Sequence, residues 1–420
     1  MNSLQGSNKL TSGKRVPTVL VLGAGVAGIR AALHLEKLSK EGEFEIEVID
    51  KKNYHLLIPN LHEAATDRIS ADAVQVPLNE IFQDKNIEFY CATVSKIDIE
   101  EKIVIANGRK LPYDFLIIAL GAKANFYGIP NLVEHAYPLR TLVDAKLIRN
   151  HVLKMFELAA LIQDAKKKKE FLTFVVGGVG AAGTQFVTEL ADWIGELRIH
   201  YGIDQDDIQV VAVEAKESMG IDWPLARYAY KILREKEIKL ILGAAITSID
   251  NQMIYLSNGK KIPTQTLIWT GGISGNDLLE KSNLRVNHQG RAIVNGFLEA
   301  EGHEGVYVIG DASDVIDPET GQSVIPSAQM AINEANYVVE HLLAKTRKIA
   351  KQKYRPHRRG VAISLGRDDG ASLVGNIRLL GKIGKFFKVL TELRYFYLLG
   401  GLRQVVEGLR LRSNKAMRVP

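Results

Sequence analysis

Thr18-Val-Leu-Val-Leu22 followed by Gly23-Ala-Gly25-Val-Ala-Gly28 decides the reading of this 420-residue chain, because the pattern returns 155 residues later. The second copy is Phe171-Leu-Thr-Phe-Val-Val176, then Gly178-Val-Gly180-Ala-Ala-Gly183. Thr18–Leu22 is a short apolar run, rich in Leu and β-branched residues, and suits a strand covered on both faces. A helical pattern follows from Ile29 to Leu38, then a strand from Phe44 to Ile49 that stops at Asp50. Strand, glycine turn, helix, strand and acid make up a dinucleotide-binding unit. Gly23 permits the tight turn, Gly25 lets backbone approach a pyrophosphate, and Gly28 lets helix and strand pack closely. The phosphates then meet unpartnered N–H groups and the positive end of the helix dipole. Asp50 is placed to accept the hydroxyls of a ribose.

Outward from the second copy, a helical stretch reaches about His200, and a strand from Ile208 to Val213 closes on Glu214. Two complete units imply two dinucleotides. The spacing from the first glycine to the acid is 27 residues in one unit and 36 in the other, against ~20 for the pattern. The Lys40–Glu43 and Gly202–Asp207 loops are expected to absorb the excess. A carboxylate at Glu214 bonds a free 2′-hydroxyl and repels a 2′-phosphate, which favours NADH over NADPH, with Lys216 close enough to soften the preference.

Three more strands end in glycine. Asp114 to Ala119 runs into Leu120-Gly121-Ala122, and Thr266 to Trp269 into Thr270-Gly271-Gly272. Gly305 to Ile309 ends in Gly310-Asp311 and so puts a carboxylate at the C-terminal end of a parallel strand, the ligand side of such sheets.

Composition sets the outer limits. With 46% hydrophobic and 24% charged residues the chain can bury a large core and divide into two or three domains. One cysteine, Cys91, excludes an intramolecular disulfide, a CxxC pair and a cysteine-only metal cage; no metal site is expected. No run of 18 apolar residues or apolar N-terminal stretch appears, so the expected compartment is cytoplasmic. The net charge of +6 hides an asymmetry: from Gly381 to Pro420 nine cations face only Glu392 and Glu407, a local +7 that leaves the rest at −1. A near-neutral body with a basic, aromatic tail points to a membrane surface and away from nucleic acid. In that tail Ile383, Phe386, Phe387, Leu390, Leu393 and Tyr397 recur at helical spacing. Lys382, Lys385, Lys388 and Glu392 take other positions, with the cations expected toward anionic headgroups. The run Lys166–Lys169 reads as a solvated loop.

Taken together, these motifs resemble the two-dinucleotide-binding-domain flavoproteins, and most closely the type II NADH:quinone oxidoreductases. The resemblance runs from Thr18 to about Leu402. It rests on Val21–Gly28, Asp50-Lys51-Lys-Asn-Tyr54-His55, Val175–Gly183, Glu189-Leu-Ala-Asp192, Trp269–Gly272, Ile309-Gly-Asp311 and Ala328-Gln329-Met-Ala331. It implies an α/β fold of two doubly wound Rossmann-like domains plus a C-terminal membrane-contact region. The implied segments are 1–140 and 269–345 for FAD, 141–268 for NADH and 346–420 for the membrane. Implied FAD contacts are Gly23, Ala24, Gly25, Ala27, Gly28, Asp50, Lys51, Val94, Gly121, Asp311, Ala328 and Gln329. Implied NADH contacts are Gly178, Gly180, Gly183, Glu214 and Gly272.

The implied activity passes a hydride from NADH to the flavin and then two electrons to a lipid quinone, without proton pumping. Gln329 and Asn333 would line the quinone pocket. Asn333 departs from the family pattern, which has a glutamine there. Gln185 departs too, standing where many relatives have a glutamate, so any proton role of that glutamate is lost or passes elsewhere; Glu189 and His62 are candidates, both also readable as structural. With Cys91 alone, the thiol chemistry of disulfide reductases and sulfide:quinone oxidoreductases is excluded. The implied location is peripheral, on the cytoplasmic face of the cell membrane, with a homodimer possible. A soluble flavin or acceptor reductase and a redox sensor holding FAD and NADH are the rival readings.

Overall fold

The structure, a computed structural model, describes residues 15–250, 252–357 and 360–413. The N-terminal residues 1–14 and the tail cations Lys415 and Arg418 lie outside them, as do the Glu407, Arg410 and Arg412 side chains. The chain forms two compact units. One comprises Met1–His55, Val76–Lys123 and Ser274–Arg358; the other comprises Leu56–Gln75, Ala124–Ile273 and Arg359–Pro420.

In the first unit, five parallel strands run in the order Val306–Val308, Phe115–Ile118, Thr18–Leu22, Glu45–Asp50 and Glu88–Cys91. Register explains where a ligand would sit. Leu22 pairs with both Ile49 and Ile118, and Val308 pairs with Ile118, so the strand ends align and deliver Gly23, Asp50 and Gly310 to one edge. The strands are near-continuous hydrophobic runs because both faces are covered: Val19, Leu20, Val21 and Leu22 are all fully buried. Helices Val26–Leu38 and Ala328–Thr346 pack together, with Arg30 Nε donating to Asn336 Oδ1 at 2.6 Å.

The second unit repeats the plan: Ala136–Pro138, Thr266–Trp269, Thr173–Gly177, Gln209–Val213 and Lys239–Ile241, all parallel. Gly177 pairs with Val213 and with Trp269, which again aligns the glycine turn and the acid. The longer spacing here lies mainly in the helix, Ala181–Tyr201, of 21 residues against 13 in Val26–Leu38. Gly202, in the left-handed region at φ 63°, ends it. The Lys166–Lys169 run is helical, not a loop, within Ala165–Phe171. Asp164 accepts from Lys166 N and Lys167 N as its N-cap, and Lys168 Nζ pairs with Asp207 Oδ2 at 2.8 Å.

The fold is thus α/β, with two Rossmann-like parallel cores. The second unit also carries an antiparallel sheet, Gly360–Ser364, Gly370–Val374 and Ile377–Leu380, followed by helix Gly381–Ser413. Gly400 and Gly401 leave helical geometry and break that helix. The segment beyond folds back, since Gly408 lies against the Phe396 ring.

Candidate functional site

The two glycine turns are close copies. Gly23 and Gly178 have φ of 98° and 94°, and Gly25 and Gly180, the N-caps of the following helices, share φ −77°, ψ −170°. A Cβ on Gly28 would fall 1.8 Å from the Gly23 carbonyl oxygen, and one on Gly183 would fall 1.9 Å from that of Gly178. Neither position can hold a side chain without moving backbone. The middle glycine differs: nothing lies within 4 Å of a Cβ on Gly25, and a Cβ on Gly180 meets only Gly220 O at 4.0 Å. Neither helix has a side-chain cap or an acid in its first turn. That leaves open backbone N–H groups and a positive dipole end facing vacant space, which fits a pyrophosphate at each turn.

The acids are tied to their own turns. Asp50 accepts from Ala24 N at 2.7 Å and Lys52 N at 2.9 Å. Glu214 accepts from Val179 N at 2.7 Å and Lys216 N at 3.2 Å. Each carboxylate therefore braces the glycine loop while standing at its strand end, the position from which a ribose is read. Each turn thus fits a dinucleotide.

Several supports are not legible in the motifs. His55 is fully buried with Nδ1 3.0 Å from Ala24 O, and burial drops its pKa to about 4, so the ring stays neutral beneath the loop. Thr270 Oγ1 donates toward Gly177 O and Gly178 O at 3.0 and 2.8 Å. Gly272 sits at φ 153°, where a Cβ would strike the Tyr127 hydroxyl at 2.2 Å. In the first unit Gly121 has φ 67°, whereas Lys51 is exposed at the end of its strand, and Val94 opens the antiparallel strand Val94–Asp98.

Gln329 and Ala328 form the first turn of helix Ala328–Thr346, capped by Ser327, whose hydroxyl accepts from Met330 N at 3.2 Å. Asn333, one turn on, donates through Nδ2 to His357 O at 2.9 Å. Asp311 lies in the short turn Gly310–Ala312. Gln185, in the second unit, accepts from Ser364 N at 3.1 Å and Ser364 Oγ at 3.2 Å. His62 Nε2 lies 3.1 Å from the same hydroxyl, and burial lowers its pKa to about 3. Glu189 is fully buried and clamped by Arg68 Nη1 at 2.8 and 3.1 Å, with Arg367 Nε 3.8 Å away. These groups form a polar seam joining helix Ala181–Tyr201 to strand Gly360–Ser364 and the loop after it.

The C-terminal helix is inverted relative to the usual amphipathic pattern. Ile383, Phe386, Leu390 and Tyr397 are 64%, 64%, 42% and 57% exposed. Lys388 is buried and pairs with Glu392, and burial lowers the Lys385 pKa to about 8 while Nζ donates to Gly366 O at 3.1 Å. Lys385 and Lys388 thus face inward, away from any headgroup, because the seam supplies carboxylates and carbonyls there. Beyond the Gly400–Gly401 break, Leu402, Val406 and Leu409 continue the exposed apolar row. No helix among the described residues is long and apolar enough to cross a membrane.

Comparison with known proteins agrees with this geometry. The pyridine nucleotide-disulphide oxidoreductase family profile matches residues 17–335. The type II NADH:quinone oxidoreductase of Staphylococcus epidermidis is 30% identical over 389 residues, covering 91% of this chain and 96% of that protein. Its Staphylococcus aureus counterpart is 28% identical with the same coverage. In fold, the NDH2 structure from Plasmodium falciparum in complex with NADH superposes with a TM-score of 0.85 at 18% identity, over 96% of this chain and 99% of that one. The sulfide:quinone oxidoreductase of Aquifex aeolicus superposes at 0.77 with 20% identity, over 93% and 92%. An oxidoreductase working with FAD and NADH accounts for both cradles. The chain belongs to the pyridine nucleotide-disulphide oxidoreductase family and, within it, to the type II NADH:quinone oxidoreductases.

Proposed function

We propose that this enzyme passes two electrons from NADH to a membrane quinone without translocating protons, while lying on the cytoplasmic face of the membrane. Bound FAD supplies the two-electron chemistry linking donor and acceptor. The residues supply placement. Gly23, Gly25, Gly28 and the start of helix Val26–Leu38 hold one pyrophosphate, and Asp50 the adjoining ribose. Gly178, Gly180, Gly183 and Glu214 do the same for NADH. Lys51, Val94, Gly121 and Asp311 complete the FAD contacts, and Gly272 those of NADH. Gln329 offers its amide to the acceptor. Asn333 and Gln185 are already held by His357 and Ser364, so each orients the segment it belongs to and keeps its remaining amide capacity for the acceptor. The functional division is FAD binding by 1–140 and 269–345, NADH binding by 141–268 and membrane contact by 346–420, in a protein able to pair as a homodimer.

The observation that carries the quinone reading is the outward apolar row Ile383, Phe386, Leu390 and Tyr397. A soluble reductase gains nothing from a helix that turns Lys385 and Lys388 inward and shows Phe386 to water, whereas lipid covers such a row favourably. Burying two such side chains contributes about 3 kcal/mol or more, roughly a hundredfold in partition. The test replaces Ile383 and Phe386 with Glu. The variant should oxidise NADH with a water-soluble dye at the wild-type rate, lose vesicle sedimentation, and lose turnover with a quinone dissolved in the vesicles. Unchanged vesicle binding refutes the membrane face. A wild-type protein that is bleached by NADH but not reoxidised by quinone is a sensor.

A further inference from the structure

Among the buried carboxyls the mechanism above does not use, Glu334 holds a turn of the first unit. Glu334, on helix Ala328–Thr346, is 3% exposed in the core of the first unit. Its Oε2 accepts from Gly310 N at 2.6 Å and lies 3.2 Å from Ser313 Oγ, whose hydroxyl also reaches Gly310 O at 2.9 Å. Those two residues bracket the turn Gly310–Ala312 that carries Asp311. Arg291, also buried, donates to Ser313 O and stands 3.8 Å from Asp314 Oδ1. Gly310 has φ 71°, and a Cβ there would come within 3.1 Å of the Ala27 Cβ. The turn is therefore wedged against the helix of the first glycine motif on one side and hung from Glu334 on the other.

Burying a carboxyl is costly unless its bonds repay it, and an apolar residue of similar size on this face would pack more cheaply. Nothing in the helix itself requires an acid at this position, since the bonds it makes are to the turn. We propose that Glu334 is the positioning residue for FAD: by holding the Gly310 N–H and the Ser313 hydroxyl it fixes the backbone that presents Asp311 to the cofactor. This rests on the reading that Asp311 contacts FAD. A turn held at both ends enters the complex already ordered, so its loss appears in cofactor affinity more than in folding.

The test measures FAD release from the holoenzyme by the rise of free flavin fluorescence on dilution, with melting of each apoprotein alongside. Glu334→Leu should weaken FAD binding about 10- to 100-fold, the cost of leaving the Gly310 N–H without its acceptor. Glu334→Gln keeps an acceptor for Gly310 N and should restore binding to within about threefold, a rescue that mere filling of the core would not single out. Ser313→Ala removes one contact at little cost in volume and should weaken binding about threefold to tenfold, which keeps the test sharp if the leucine variant does not fold. Wild-type release from Glu334→Leu, or from Ser313→Ala where the leucine variant does not fold, overturns the proposal, as does equal loss in Leu and Gln variants. Asp311→Ala separates the two failures. If it sheds FAD while Glu334→Leu holds it, only the role of Glu334 falls; if it too holds FAD normally, the reading of Asp311 falls with it.

Discussion

Gly25 and Gly28 are three residues apart and required for different reasons. Gly28 is needed by the protein, because its missing Cβ is the space taken by the Gly23 carbonyl. Gly25 is not required by packing, since a Cβ there meets nothing within 4 Å, and its proposed role is to admit a phosphate. Gly25→Ala should therefore melt within about 2 °C of wild type yet hold FAD at least about tenfold more weakly. Gly28→Ala should lose about 2 kcal/mol or more, seen as a lower melting temperature even in the apoprotein. If the two variants behaved alike, the distinction between a packing glycine and a phosphate glycine would be lost. Spacing assigned both roles, Gly25 to the pyrophosphate and Gly28 to packing; that a Gly28 Cβ would also meet the Ala119 Cβ depends on the neighbouring strand.

At the level of elements, pairing sets chemistry that neither strand shows alone. Parallel register puts Glu47 directly opposite Glu88. Burial first, then Glu88 and Glu45, push the Glu47 pKa up to about 7 from 4.5. The folded state thus binds this proton more tightly than the unfolded chain. Stability linked to Glu47 is complete below about pH 4.5 and is lost as the pH rises through about 7. Glu47→Gln should melt like wild type near pH 5 and above it near pH 8; a gap independent of pH would rule the linkage out. The C-terminal helix teaches the same lesson. Its 3.6-residue period was visible, yet which face turned inward depended on groups outside the helix, above all the Gly366 carbonyl that meets Lys385, while the buried Lys388 pairs with Glu392 one turn along.

For the molecule as a whole, the proposed membrane contact makes charge and apolar surface act together at the C-terminal end: the cations of residues 381–420 other than the inward Lys385 and Lys388 would attract an anionic surface, and the exposed row would insert into it. Binding to anionic vesicles should weaken roughly tenfold between about 50 and 300 mM salt and then level off, because screening removes attraction but not hydrophobic insertion. Continued loss to zero in co-sedimentation would mean that the apolar row does not enter lipid.

Local order in the chain was enough to specify two glycine-turn units, their strands and helices, and the acids that end them, since each depends on neighbours within about 40 residues. Tertiary structure alone decided the rest. His55 beneath the Ala24 carbonyl, Glu189 in the grip of Arg68, and Glu334 holding a turn 24 residues upstream are contacts between segments that no periodicity connects. A buried polar group takes whatever partner the fold brings to it, so its role is written in the packing and not in its place along the chain.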